Sequence, residues 1–241
     1  MCCEKEIKCE RPEELKGKPE DCSSEQIRRC HGDHSNHPCI DSGCEKPDQS
    51  VGMLEKIFPY LAQQVVEDYK ITNGICLDIG SGSGNWGLEI ADITDMVVYL
   101  VDIDGDALAK GVQKAEQRGI EGQIKTIETD VHDMDIPDSF ADLIVCRGSI
   151  WFWHDRPRGL REIYRVLNQS GVAMVGGGLG RKLPEKYRRP LVEERQKRKN
   201  DSEWMYIRSK EYFQKILAEA GINSYRLLFD EPVGRWAEIR K

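Results

Sequence analysis

The sequence predicts an α/β fold in which a mainly parallel sheet is covered by helices. Short apolar runs alternate with amphipathic helical patterns along residues 51–220, which is the order typical of such sheets. The first apolar run, 75–79, leads directly into the glycine-rich turn GSGSG at 80–84, and a helical pattern begins at Trp86. A strand, a glycine turn and a helix in this order begin a nucleotide-binding unit, because missing side chains let a ligand approach the backbone.

A helix with one apolar face is predicted before this first strand, from Ser50 to about Tyr69. Its apolar residues recur at intervals of three and four, and Pro59 is expected to kink or divide it. The later strands are predicted at 96–101, 124–129, 140–145 and 172–175. The later helices are predicted at 86–92, 106–118, 159–167 and 209–220, with Gly119 and Gly221 as C-caps and Ser209 as an N-cap.

The last two strands are predicted at 224–229 and 235–240, where a short turn joins them into an antiparallel hairpin. Before them, the strand at 172–175 is expected to break into a glycine run, 176–180. So many glycines indicate either backbone close to a ligand or a hinge. The following segment, 181–199, holds nine Lys or Arg against three Glu. It is interpreted either as a solvated helix face or as a mobile basic flap over an anionic acceptor or a docking partner.

Acidic residues lie in or directly after the first three predicted strands. Asp78 is within the first strand, Asp102 ends the second, and Asp130 follows the third. The separation between Gly80 and Asp102 is about that of an acid which reaches ribose hydroxyls from the end of a second strand. The carboxyl edge of the sheet is therefore the predicted ligand site.

In this order, the segments LDIGSGSG, VDID, ETDVHDMDIPDSFADLIV and REIYRVLNQSGVAMV resemble class I S-adenosylmethionine-dependent methyltransferases over roughly residues 51–241. The resemblance implies a Rossmann-like seven-stranded sheet, mostly parallel, with a C-terminal antiparallel hairpin and helices on both faces. It also implies that the first helix covers the cofactor cleft. An NAD(P)-binding Rossmann domain is the alternative. It is disfavoured by Asp78 and by the lack of a second half that could carry hydride chemistry.

The resemblance assigns S-adenosylmethionine as cofactor. Asp78 and the turn glycines are expected around its methionine and ribose portion, Asp102 at the ribose hydroxyls, and Asp130 at the adenine amino group, with Val131 against the ring. The predicted cofactor-binding residues are Asp78, Gly80, Gly82, Gly84, Asp102, Ile103, Asp130, Val131 and Arg147.

The acceptor side is predicted after the fourth strand, where Cys146-Arg147-Gly148-Ser149 precedes the run Trp-Phe-Trp-His at 151–154. Amino-directed DNA methyltransferases have Asn/Asp-Pro-Pro-aromatic at this place, so DNA is not an expected substrate. Aromatic residues here can enclose a sulfonium or a flat substrate, and packing between sheet and helix explains them equally well. The acceptor-side candidates are Arg147, Trp151, Trp153 and His154. No general base is assigned, because in-line placement supplies most of the acceleration of methyl transfer.

Residues 1–50 differ in kind from the methyltransferase-like part, 51–241, because they hold seven of the nine cysteines and few apolar residues. Zinc or an iron–sulfur cluster is the favoured interpretation. An unstructured tail, a thiol-rich arm that handles a soft substrate, and disulfides are the alternatives. The candidate metal ligands are Cys22, Cys30, His31, His34, His37, Cys39 and Cys44.

Charge and hydropathy limit the partners. A net charge of −7 and a pI near 5.4 argue against a chain that coats nucleic acid or an acidic membrane. No apolar run approaches the roughly 20 residues that span a bilayer, and the first residues lack the apolar core of a signal peptide, so a cytoplasmic location is expected.

Three functions are weighed on these grounds. The leading one is methyl transfer to a small-molecule acceptor, with sulfur, a metalloid, nitrogen or oxygen as nucleophile and an N-terminal metal-binding arm. The second is a protein or RNA methyltransferase that docks its substrate through the arm and the basic segment. The third is a non-catalytic S-adenosylmethionine-binding sensor of metal or redox state. A protein partner therefore stays open, and no oligomeric state is predicted.

Overall fold

The apolar runs of the sequence form the strands of one sheet. The computed structural model describes residues 54–197, 205–230 and 234–241. Its strands are β1 Ile75–Ile79, β2 Val97–Asp102, β3 Ile124–Glu128, β4 Ala141–Arg147, β5 Leu167–Gly178, β6 Tyr225–Asp230 and β7 Gly234–Arg240. Its longer helices are α1 Phe58–Tyr69, α2 Asn85–Asp92, α3 Gly105–Arg118, α4 Arg156–Val166, α5 Glu185–Lys197 and α6 Lys210–Glu219.

The seven described strands pair in the order β3-β2-β1-β4-β5-β7-β6. Strands β1 to β5 pair with one another in parallel, and β7 is antiparallel to both β5 and β6. This arrangement confirms the predicted Rossmann-like sheet with its C-terminal hairpin. Because the chain leaves β1 towards β2 on one side and β4 lies on the other, the carboxyl ends of β1 and β4 flank the crevice where such sheets bind ligands.

The sheet is buried on both faces. Alternate residues of β1 point to opposite sides, so Leu77 joins a core with α4 and α6, while Cys76 joins a second core with α1 and α2. Phe213 of α6 and Trp236 of β7 are among the large side chains in these two cores. This burial of both faces explains why the parallel strands are almost continuously apolar in sequence.

Local signals begin and end the helices largely as predicted. The Ser209 hydroxyl accepts a hydrogen bond from the Tyr212 N–H, and Gly119 ends α3 with a φ of 70°. Pro59 is in the first turn of α1, where its missing N–H leaves no helical bond unmade. The helical residues 54–55 are separated from α1 by a turn at 56–57, so the predicted helix is divided just before Pro59.

The sequence predicts that the glycine run breaks the fifth strand, and this prediction is wrong. Strand β5 continues to Gly178, and its last three residues pair with β7. A Cβ on Gly176 would overlap the carbonyl oxygen of Arg235 on the neighbouring strand. At Gly176, therefore, the missing side chain lets two strands approach each other, which is neither a hinge nor a ligand contact.

The beginning of the basic segment is attached to α1. Arg181 forms an ion pair with Asp68, and Lys182 forms one with Glu67. The Arg181 N–H also donates to the Gln64 side-chain oxygen at 2.8 Å. These contacts do not fit a mobile flap at this end of the segment.

The described residues all fall in one of the two units into which the chain divides, Gly52–Lys241. The predicted metal ligands Cys22, Cys30, His31, His34, His37, Cys39 and Cys44, and the Cys/His-rich segment 1–50 as a whole, lie outside the described residues. In the ranges that the structure describes, no three His, Cys, Asp or Glu side chains are grouped so that they could hold a metal ion. No helix in those ranges is long and apolar enough to cross a membrane.

Candidate functional site

The glycine turn between β1 and α2 lies at the carboxyl edge of the sheet. Gly80, Gly82 and Gly84 have φ values of 65°, 53° and 75°, a region that other residues rarely adopt. The Gly80 N–H donates to the Val101 carbonyl at 2.8 Å, so the turn is fixed against the end of β2. A Cβ on Gly84 would also lie only 2.7 Å from the Leu100 side chain. Conformation and space both favour glycine here.

Asp78 lies beneath the turn, where its side chain is 3% exposed. Its carboxylate accepts a hydrogen bond from the Gly87 N–H at 2.8 Å and so ties β1 to α2. Burial raises the pKa of Asp78 to about 7, the charge of Asp102 adds to this, and the hydrogen bond from Gly87 opposes it. The structure therefore gives this carboxyl group a partner within the fold, which positions the helix that follows the turn.

Asp102 lies at the end of β2, next to the turn. One carboxylate oxygen accepts from the Gly82 N–H at 2.7 Å, and the other accepts from the Asp104 N–H at 3.1 Å. The next residue, Ile103, has a side chain that is 71% exposed. A fixed carboxylate and an exposed apolar side chain are thus neighbours at the mouth of the crevice.

Asp130, Val131 and His132 form the loop after β3. Asp130 accepts hydrogen bonds from the backbone N–H and from the ring Nδ1 of His132, and the backbone bond is the main cause that holds the pKa of Asp130 below its usual range. Val131 is buried. The His132 Nε2 accepts from the Asp155 N–H at 3.3 Å, so the ring proton is assigned to Nδ1.

A cavity of about 450 Å³ opens where β1, β4 and β5 end and β7 begins. It is lined by Gly80, Arg147, Gly148, Ser149, Trp151, Phe152, Gly177, Gly178, Arg208, Gly234 and Arg235. Gly80 belongs to the glycine turn as well. The turn and the cavity are therefore continuous along one edge of the sheet.

Hydrogen bonds fix two polar residues of the cavity wall. The Arg147 Nε donates to the Gly178 carbonyl at 3.1 Å, and its guanidinium lies 5.2 Å from the ring centre of Phe58 in α1. The Ser149 hydroxyl donates to the Ile79 carbonyl at 3.1 Å. This second bond joins the wall of the cavity to the end of β1, just before the turn.

The aromatic run at 151–154 is divided between the cavity and the core. Trp151 lines the cavity and packs edge-on against Phe213, while Phe152, 80% exposed, lies at the rim. Trp153 is buried against Gly159 of α4 and is not among the residues that line the cavity. The ring centre of His154 lies 3.8 Å from that of His132, which belongs to the loop after β3. The run is thus divided between residues that line the cavity and a residue packed in the core.

Comparisons with known proteins agree with this architecture. A family model described as a methyltransferase domain matches residues 77–175, which extend from β1 to β5. A crystal structure from Methanococcus maripaludis, provisionally assigned as an S-adenosyl-L-methionine-dependent methyltransferase, has a TM-score of 0.70 and 32% identity. The match covers 80% of this chain and 88% of that chain. This chain belongs to the S-adenosylmethionine-dependent methyltransferases.

The curated relatives of this methyltransferase match a shorter part of it. The 2-methyl-6-phytyl-1,4-hydroquinone methyltransferase of Arabidopsis thaliana is 36% identical over 102 residues, which are 42% of this chain and 29% of the relative. The ubiquinone/menaquinone biosynthesis C-methyltransferase UbiE of Geotalea daltonii is 33% identical over 105 residues, 43% of this chain and 45% of the relative. The chain thus spans less than half the length of these curated relatives.

The sequence analysis missed two arginines of the methyltransferase cavity. Arg208 precedes α6, and Arg235 is the second residue of β7, so both are far in sequence from the other residues at the end of β4. Nothing in the sequence marked Arg208. Arg235 lies in a predicted strand, but the pairing of that strand with the glycine run is seen only in the structure.

Proposed function

We propose that this methyltransferase transfers the methyl group of S-adenosylmethionine to a small-molecule acceptor that binds in the cavity at the ends of β4 and β5. The observation that carries the proposal is that Gly80 belongs both to the glycine turn and to the cavity wall. A cofactor on the turn therefore borders an acceptor in the cavity. That proximity is the main requirement of methyl transfer.

The residues around the turn fit the cofactor. A Cβ built on Gly82 meets nothing within 4 Å, so the backbone here is open to a ligand. Asp102 would hold the ribose hydroxyls and Asp130 the adenine amino group, with Ile103 and Val131 beside the ring. When bound, S-adenosylmethionine supplies a methyl group that its positively charged sulfur has already activated. The protein then has to orient the acceptor and exclude water.

Two observations support a small acceptor. The cavity volume of about 450 Å³ lies within the range of roughly 300–1,000 Å³ that is usual for small-ligand sites. The name of one curated relative gives a hydroquinone, and the name of another refers to ubiquinone and menaquinone biosynthesis. An acceptor nucleophile close to Gly80 would need no covalent intermediate with the protein, only in-line placement.

Titration calorimetry with S-adenosylhomocysteine tests the cofactor assignment. We expect Asp102→Ala to weaken binding by about 10- to 100-fold, because hydrogen bonds to a charged group contribute roughly 1.5–3 kcal/mol. Asp133→Ala is the matched control, since this loop carboxylate is largely exposed and its ion pair with Arg158 is long, at 3.9 Å. Unchanged affinity in Asp102→Ala, with an unchanged melting temperature, would contradict the assignment.

We further propose that residues 1–50 carry the metal-binding arm that the sequence predicts. Anaerobic purification followed by zinc, iron and acid-labile sulfide analysis tests it. Stoichiometric zinc, or iron with sulfide, that is lost when Cys30, Cys39 and Cys44 are changed to Ser would support the arm. A metal-free wild-type protein would contradict it.

A further inference from the structure

We propose that the acceptor is a flat organic anion whose carboxylate or phosphate group is held by Arg208 and Arg235. This inference deepens the proposed function and rests on it, because it places the acceptor in the cavity at the ends of β4 and β5. It is carried by the charge of the cavity wall, by the position of the two arginines around Trp151, and by the aromatic surface beside them.

The charged side chains described in the cavity wall are all positive. Three of its eleven residues are arginines, and none of these eleven described residues is Asp or Glu. A guanidinium presents a planar fork of N–H donors that matches the two oxygens of a carboxylate or phosphate. Such bonds are stronger in a recess away from bulk water than on an open surface. The wall therefore favours an oxyanion over a neutral group of the same shape.

Both arginines line the same cavity as Trp151. The Arg208 guanidinium lies 5.0 Å from the centre of the Trp151 ring. Arg235 is on β7, directly opposite Gly177 of β5. A Cβ on Gly177 would lie 3.2 Å from the Trp151 ring nitrogen, so the missing side chain lets the indole pack closely on β5 beside Arg235. An anion bound in the cavity would therefore border both arginines.

Arg147 differs from this pair in its position. Its Nε is bonded to the Gly178 carbonyl and its guanidinium lies over Phe58, on the side of the cavity towards α1. Arg147 was predicted as both a cofactor and an acceptor residue, and the methionine carboxylate of the cofactor is itself an anion. The experiment therefore uses only Arg208 and Arg235, and it saturates the cofactor site beforehand.

The aromatic residues indicate the rest of the ligand. Trp151 forms part of the wall and the exposed Phe152 lies at the rim, so a flat apolar body can lie against them while its charged end reaches the arginines. Benzoate and benzamide are therefore suitable probes, because they share shape and ring and differ in charge. Phenyl phosphate tests the other oxyanion.

The experiment titrates these probes into the full-length protein saturated with S-adenosylhomocysteine. We expect at least one of the two anions to bind about tenfold or more tightly than benzamide, and its affinity to fall as salt is raised. Arg208→Met and Arg235→Met should each weaken that anion about tenfold and leave the affinity for S-adenosylhomocysteine unchanged. Arg189→Met is the matched control. This arginine of α5 is exposed, and among the described residues it forms an ion pair only with Glu193 of the same helix.

Equal binding of anions and benzamide by the wild-type protein would overturn the inference, as would the absence of any binding by both anions. Unchanged anion affinity in both arginine variants would overturn it as well. The wild-type comparison needs no variant, so it decides the question even if a variant fails to fold. Failure of the wild-type protein to bind S-adenosylhomocysteine would instead contradict the proposed function, and the probe titration would still measure the charge preference of the cavity.

Discussion

At the scale of single residues, Asp78 makes stability depend on pH in an unusual direction. Burial raises its pKa to about 7 in the folded protein, whereas an unfolded aspartate titrates near 4. Between these values the folded state binds more protons than the unfolded state. The contribution of Asp78 to stability therefore falls as pH rises from about 4 to about 7, and it is constant above that window.

The substitution Asp78→Asn tests this dependence, because it keeps an acceptor for the Gly87 N–H and removes the titration. We expect the wild-type protein to lose about 2–3 kcal/mol relative to the variant between about pH 5 and pH 8. Urea unfolding at the two pH values measures the difference. Asp133→Asn, in an exposed loop, should show no such change. Parallel pH profiles for wild type and Asp78→Asn would contradict the assigned pKa.

Some single-residue features could be predicted from the sequence and others could not. The positions of Asp102 and of the turn glycines follow from local chain order, so they could be located from spacing alone. The partner of Asp78 could not, because its hydrogen bond to Gly87 depends on how α2 packs back on β1. Similarly, the sequence could not assign Trp151 to the cavity and Trp153 to the core, since that choice depends on the direction of the chain after β4.

At the scale of elements, the glycine turn and the 3₁₀ turn at Ser149–Phe152 constrain each other. A Cβ on Gly80 would overlap the side chain of Ser149, whose hydroxyl is bonded to the Ile79 carbonyl. Two turns from separate parts of the chain therefore approach each other with no space for a methyl group. Their fit fixes the junction between the glycine turn and the cavity.

Gly80→Ala should therefore destabilise the protein by about 2–4 kcal/mol, roughly 1 for its φ and the rest for the overlap. Gly119→Ala is the matched control: Gly119 also has a positive φ, 70°, but a Cβ there meets nothing within 4 Å. Chemical denaturation compares the two variants. Adding Ser149→Gly should restore part of the loss in Gly80→Ala. Equal losses at Gly80 and Gly119 would contradict the proposed fit.

Elements with strong local signals were predictable, whereas the extent of strand β5, which depends on its pairing with β7, was not. Gly119 ends α3 and Ser209 begins α6, as the sequence indicates. Helix α4 begins three residues before its predicted start, and its signal was present: Asp155 caps it and a proline follows in the first turn. Strand β5, in contrast, continues through glycines that have low strand propensity, because β7 supplies the partner for its backbone.

At the scale of the whole molecule, the cavity is a product of topology. Its wall combines the ends of β1, β4 and β5 with the beginning of β7 and the segment before α6. The sequence predicts this sheet edge as the ligand site, but it does not predict that Arg208 and Arg235 meet there. Convergence of residues so far apart in sequence depends on how α6 and the hairpin pack on the sheet.

Glu238 of β7 links the C-terminal hairpin to the end of α1, although Tyr69 and Glu238 are 169 residues apart in sequence. Its carboxylate accepts hydrogen bonds from the Tyr69 hydroxyl at 2.9 Å, from Arg226 at 2.7 Å and from Arg240 at 3.1 Å. Burial would raise the pKa of Glu238, but the bonds from Arg226, Tyr69 and Arg240 outweigh it and lower the pKa. Its contribution to stability is therefore present above about pH 4.5 and is lost as pH falls through the lowered value.

Glu238→Gln should then cost about 1–3 kcal/mol at neutral pH, because three donors lose a charged acceptor within a largely buried site. Denaturant unfolding across pH measures this cost, which should shrink below about pH 4, opposite in direction to the effect of Asp78. Combining the variant with Tyr69→Phe should give less than the sum of the two single losses, since Glu238→Gln weakens and Tyr69→Phe removes the same bond between the hairpin and α1. Glu219→Gln, on the exposed side of α6, is the control. If the losses in unfolding free energy are strictly additive, the bond between Tyr69 and Glu238 does not couple the hairpin to α1.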